Sequence, residues 1–210
     1  DYYVLGHIPS LKSDMRSAGE IWKKGLERFP GSIVLRCKVA MAALYADDDV
    51  DQAATLMSEA GKLPKRSRLD DWYYHWMEAQ LYRFQGENEA AVAEARRTIA
   101  MAPYDTVSRA NLVWVLIDAR HNDEAIEWAK FAVTNDPEPM DWYFEGLLTA
   151  YRRAGKMGEG LKLAEAEIRA DPSPSPWWYH FLGMAYSATG QSEKATAAFK
   201  VFYSQRAPQP

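Results

Sequence analysis

The chain is 210 residues long, 48% hydrophobic and 26% charged, with 13% aromatic residues, eight tryptophans and a formal net charge of −4. The negative balance argues against a general polyanion binder, so no nucleic-acid partner is expected, and no apolar run reaches the roughly 18 residues that would predict membrane insertion. One cysteine, Cys37, excludes an internal disulfide, and with no visible signal peptide the expected location is cytoplasmic.

Residues 1–7 read as a short helix or helix end stopped by Pro9. Ser13 or Asp14 can cap a long helix through Phe29, with Ala18, Ile21, Trp22, Gly25, Leu26 and Phe29 on its buried stripe. Ser32 opens the next helix, which carries Val34, Leu35, Cys37, Val39, Ala40, Leu44 and Tyr45. The acidic run at Asp47, Asp48, Asp49 and Asp51 lacks the glycine and glutamate of a calcium loop, so it reads as a helix start running to about Gly61. After a basic connector between Lys62 and Arg68, an aromatic-rich helix extends to Gln85, paired with one over residues 88–101. Two hairpins follow, over 104–137 and 138–172; in the first, Asn122 can cap the second helix. The Pro172–Pro176 loop leads to Trp177 and Trp178, and a last helix from Ser192 to about Arg206 closes the array as an end cap. The chain begins at Asp1, and is expected to be a processed protein or a piece of a longer one.

These elements repeat. Prolines at 30, 64, 103, 137, 172 and 208 end successive second helices at the period of a helix–turn–helix solenoid. About 12 places before each stands a small residue: Ala18, Ala53, Ala91, Ala125, Gly160 or Ala195, where two helices must approach closely. Gly86, Gly155 and Gly190 fall in the inter-helix turns, where a left-handed helix terminus favours glycine. The reading is all-α: a right-handed α-solenoid of about six helix-turn-helix repeats in a single domain, with units near 1–30, 31–64, 65–103, 104–137, 138–172 and 173–208.

The run Tyr179-x-x-Leu182-Gly183-x-x-Tyr186, followed by Gly190, Ala195, Phe199 and Pro208, resembles the tetratricopeptide repeat. The match is weaker in the second unit, with Ala40 and Met41, and in the first, where Pro9 falls at an aromatic position. A narrower likeness covers Asp1 to His7, then Ile21-Trp22-x-x-Gly25-Leu26 to Pro30, and Leu35 with Lys38. That stretch is similar to the C-terminal repeat region of bacterial class III adenylate/guanylate cyclases. Such a likeness implies a docking or sensory region of a larger signalling protein, without cyclase chemistry.

Chemistry-bearing patterns are sparse. His7, His75, His121 and His180 lie in different repeats; His75 and Glu78 share a helix face but two ligands do not make a zinc site. There is no phosphate loop and no Gly-x-Ser-x-Gly elbow. The chain is read as non-catalytic, with no cofactor and no metal, and Cys37 as a small buried apolar residue.

The resemblance implies a groove lined by the first helix of each repeat, taking up a protein or peptide segment. The groove-lining positions carried over are Tyr73, Trp76, Gln80, Asn111, Trp114, Trp142, Glu145, Trp177 and His180. Trp22 and Trp128 lie on second helices and read as packing residues. Lys38 and Asn111 stand at positions of the family's carboxylate clamp, but Ala42, Met77 and Val107 replace other members, which disfavours a chaperone C-terminus. The expected function is a non-catalytic protein-binding scaffold; the alternatives are a self-associating module that forms a homodimer, and a small-ligand sensor using the aromatic groove.

Overall fold

The computed structural model describes residues 2, 3, 5, 14–64, 67–136 and 139–206. All regular structure among them is helical: α1 (Met15–Arg28), α2 (Ile33–Ala46), α3 (Val50–Gly61), α4 (Arg68–Gln85), α5 (Asn88–Met101), α6 (Thr106–Asp118), α7 (Asn122–Asn135), α8 (Asp141–Arg153), α9 (Met157–Ala170), α10 (Pro176–Ala188) and α11 (Ser192–Arg206). This is a helix–turn–helix repeat solenoid, with α2/α3, α4/α5, α6/α7, α8/α9 and α10/α11 as successive hairpins. Pro9, Pro137 and Pro208, with Lys65 and Arg66 of the basic connector, lie outside the described residues.

Local chemistry accounts for the helix starts. Asp14 caps α1 by accepting from Ser17 N at 3.1 Å, Ser32 caps α2 from Leu35 N at 3.2 Å, and Asp49 caps α3 from Gln52 N at 2.8 Å. The acidic run is thus a helix start, as its composition implies. Phe29 departs from expectation: α1 ends at Arg28, and its ring stands half exposed, edge-on to Tyr2 at 6.5 Å. Asn122 also departs. It is the first residue of α7, not its cap, and its Nδ2 donates to Arg153 O at 3.4 Å.

The cause lies one turn earlier. Gly86, Gly155 and Gly190 adopt φ of 78°, 69° and 77°, and Arg120, with φ of 63°, holds the same left-handed conformation without glycine's freedom. His121 N then bonds Leu116 O at 2.8 Å, closing the helix-end motif and leaving His121 at the cap position. Asp48, φ 53°, makes the corresponding turn between α2 and α3.

Two units emerge from the contacts, residues 1–108 and 109–210. In unit one α2 is central, packing on α1, α3 and α4, with α4 also against α3 and α5. Its run from Cys37 to Leu44 is buried on every side, a helix apolar nearly all round. In unit two α8 plays this part, packing on α7, α9 and α10, while α10 packs on α9 and α11.

The small-residue ladder is a ladder of close approaches. Ala18, Ala53, Ala91 and Ala125 are fully buried, and a Cβ on Gly160 would meet the Tyr151 ring at 3.1 Å. On Gly183 a Cβ would fall 2.7 Å from Phe199 Cε1. Ala125→Leu therefore overpacks α7 and is expected to cost about 1–3 kcal/mol. Glu127→Ala, on the exposed face of the same helix, should stay within about 0.5 kcal/mol of the parent. Urea denaturation of the three proteins measures this; coincident midpoints would place the α7 interface elsewhere.

Candidate functional site

In unit one the first helices α2 and α4 lie side by side and build one face. Lys38 sits in the apolar middle of α2, only 6% exposed. Its ammonium lies over four rings, Tyr73 at 5.1 Å, Trp22 at 5.4 Å, and Tyr3 and Trp76 at 5.8 Å. Among the described residues no carboxylate pairs with it. Burial pulls its pKa down to about 8, since a desolvated ammonium is disfavoured, with the Cys37 thiol giving a small opposing effect.

The box is itself cross-linked. Tyr3 and Tyr73 share a hydroxyl hydrogen bond at 2.5 Å, Trp22 Nε1 donates to the Tyr3 carbonyl at 3.4 Å, and Trp72 stacks on Trp76 at 6.1 Å. Trp76 Nε1 is buried and finds no acceptor among the described residues. Two turns along α2, Tyr45 stands 46% exposed and meets Phe84, 37% exposed, edge to face at 5.3 Å. Gln80 lies beneath them, 1% exposed, its Oε1 accepting from Tyr45 Oη at 2.6 Å and from Arg83 at 3.1 Å. It holds Tyr45 in place from below.

Cys37, next to Lys38, is buried against Met57 Sδ at 3.9 Å, and its thiol is pushed up to about 12 by burial. It is a packing residue, as its setting on α2 implied.

Unit two carries the other positions. Trp114 and Trp142 are half-buried, Asn111 is buried and Glu145 exposed. Gly146 lets α8 approach α6, since a Cβ there would lie 3.2 Å from Val113 and 3.6 Å from Trp114 Nε1. Trp142 packs edge-on to Tyr143 at 4.6 Å and directs Nε1 at Met140 Sδ, 3.4 Å away. Trp177 and His180 turn to the last helix: they lie 5.1 and 5.0 Å from the Phe202 ring, so both help join α10 to α11. The neighbouring Trp178 is the buried one, edge-on to Phe144 of α8 at 5.0 Å.

The sequence places Lys38 at a clamp position but does not show its burial among rings, for which the signal is a cation inside the apolar run from Cys37 to Leu44 of α2. The Tyr45–Phe84 pair had none, because its two residues come from different hairpins.

No helix among the described residues is long and apolar enough to cross a membrane. A comparison of the sequence with curated proteins finds no significant match. Among solved structures the chain is similar to the nearly identical TPR-like repeats of a Podosopora anserina kinesin light chain, at 20% identity and a TM-score of 0.65, over 85% of this chain and 96% of that one. It is similar to PilW, a type IV pilus biogenesis factor, at 15% identity and a TM-score of 0.65, over 94% and 88%. A third likeness is to BtubC from P. vanneervenii, at 15% identity and a TM-score of 0.58, over 94% and 92%. These likenesses show the fold. A tetratricopeptide repeat family model matches residues 8–148, about two-thirds of the chain, and a second matches 179–200, so the chain belongs to the tetratricopeptide repeat family.

Proposed function

We propose that this scaffold binds a segment of another protein on the faces made by its first helices. In unit one the face includes Tyr73, Trp76 and Gln80; in unit two it includes Asn111, Trp114, Trp142 and Glu145, with the half-exposed edges of Trp177 and His180. The observation that carries the reading is Lys38, a buried ammonium with an aromatic box but no carboxylate among the described residues. A buried charge without a counter-charge is costly, and a carboxylate from a partner supplies one. The unsatisfied Trp76 Nε1 offers a second donor within the same box.

Partner chemistry follows from spacing. Lys38 and Tyr45 are seven residues apart on one helix, roughly 10 Å at 1.5 Å per residue. A segment with an acidic group and an aromatic or aliphatic anchor about 10 Å apart fits, through three residues of extended chain or two turns of helix. Tyrosine and phenylalanine at the exposed end suit an anchor role, since rigid rings bury much area for little lost freedom.

Selection from a random peptide display library tests this. Enriched peptides should carry Asp, Glu or a terminal carboxylate at that spacing from the anchor, and should lose binding to Lys38→Met. Trp142→Ala should keep its denaturation midpoint within about 1 kcal/mol while weakening peptides held by unit two. Enrichment without acidic residues, or binding indifferent to Lys38→Met, would refute the reading. A concentration-dependent dimer in gel filtration, abolished by the same substitution, would assign the face to a second copy instead. The proposal extends to a docking region of a larger signalling protein such as a nucleotide cyclase, which the flanking reading frame would test.

A further inference from the structure

On the opposite side of α4 from Lys38, three ligand-bearing side chains converge. His75 and Glu78 share a face of α4, and α5 contributes Glu94; their ligand atoms all lie within 4.8 Å of one another. His75 Nδ1 is 2.7 Å from Glu94 Oε2. Each carboxylate is held through its other oxygen: Arg97 donates to Glu94 Oε1 at 2.7 Å, and Tyr74 Oη donates to Glu78 Oε1 at 2.8 Å. That leaves one oxygen of each, with the imidazole nitrogen, available to a common centre. Partners that orient ligands in this way are the usual outer shell of a metal site.

We propose that His75, Glu78 and Glu94 bind one divalent ion of the zinc type, with water in the fourth position. One imidazole and two carboxylates suit zinc or its first-row neighbours, whereas calcium takes six to eight oxygens and magnesium a near-ideal octahedron. Tetrahedral ligands at about 2.0–2.2 Å from zinc lie about 3.4 Å apart. Closing from 4.8 Å needs a shift of about 1.5 Å, within reach of a glutamate's soft terminal torsion. Binding replaces the His75–Glu94 hydrogen bond: the Nδ1 lone pair goes to the metal, and its proton moves to Nε2 or, from an imidazolium, to the buffer. The local field is already anionic, for the nearby Tyr82 hydroxyl is held above its ordinary pKa first by Glu78, then by burial and Glu94. An ion here joins α4 to α5 and favours the native state alone.

Calorimetric titration of the metal-free full chain with Zn²⁺ decides this, paired with thermal unfolding. One equivalent should bind, raising the midpoint. Glu78→Gln, at a half-buried position with one hydrogen-bond partner, should weaken binding by at least the roughly 10- to 100-fold seen when orienting groups are lost. His75→Ala should do the same, and His121→Ala should leave binding unchanged. Tyr74→Phe should weaken it less than Glu78→Gln. Absence of saturable binding, or equal affinity in the parent and Glu78→Gln, overturns the site even if His75→Ala fails to fold.

Discussion

Trp22→Ala is expected to destabilise unit one by about 3–5 kcal/mol. Trp22 is fully buried on α1, and it serves three neighbours at once. Its ring fills the space between α1 and α2, its Nε1 donates to the Tyr3 carbonyl at 3.4 Å, and its face lies 5.4 Å from the Lys38 ammonium. Truncation leaves a cavity, frees a carbonyl and exposes a buried cation to an empty space, and each change acts in the same direction. Trp22→Phe keeps an aromatic face without the donor and should cost less than half as much. Guanidinium denaturation followed by circular dichroism provides the measurement. A loss below about 1 kcal/mol for Trp22→Ala would show that α1 is not integral to the unit.

Lys38→Met should do the opposite and stabilise the fold while abolishing partner binding. The folded-state pKa of Lys38 is about 8, against the ordinary lysine value of 10.5. Below pH 8 the group is charged in both states, and the folded state carries the full penalty. Between pH 8 and 10.5 the unfolded chain still binds the proton while the folded chain has released it, so Lys38 makes stability rise with pH across that window. A shift of this size corresponds to about 3 kcal/mol, of which the four ring faces return a part through cation–π attraction. The expected gain at pH 7 is therefore about 1–3 kcal/mol, with methionine filling the lysine stem's volume. The difference in stability between parent and variant should shrink as pH climbs from 8 to 10.5. A pH-independent difference would mean that Lys38 is not desolvated as its surroundings require. A more stable variant that no longer binds acidic peptides would mark Lys38 as a residue kept for function at a cost to stability.

The carboxylate a partner brings acts on the same equilibrium. An opposite charge beside the ammonium raises its pKa, so binding takes up protons near pH 8 and weakens as pH rises beyond it. Peptide affinity measured across pH 7–10 should fall for the parent. The His75–Glu78–Glu94 cluster lies on the other side of α4, so metal and peptide can be titrated independently.

The period of the array, its helix starts and its ladder of small residues were legible in the sequence because each rests on local sterics. A proline cannot continue a helix beyond its first turn, Asp14, Ser32 and Asp49 cap whatever follows them, and Ala125 is small in any context. Arg120 escaped that reasoning, since the hairpin's geometry imposes its left-handed backbone on a residue that does not advertise it, and Asn122 moved one place along as a result. The choice between Trp177 and Trp178 was likewise tertiary: adjacent residues on a helix differ by about 100° in direction, and only the positions of α8 and α11 decide which ring is buried. The box around Lys38 draws on Tyr3, Trp22, Tyr73 and Trp76 from three separate segments, and Glu94 joins His75 and Glu78 across a hairpin. Sequence determined that this chain is a helical repeat with an aromatic first-helix surface. The packing of one hairpin on the next decided where a charge is left buried beside rings and where three ligands meet, because those depend on distances between residues the chain keeps far apart.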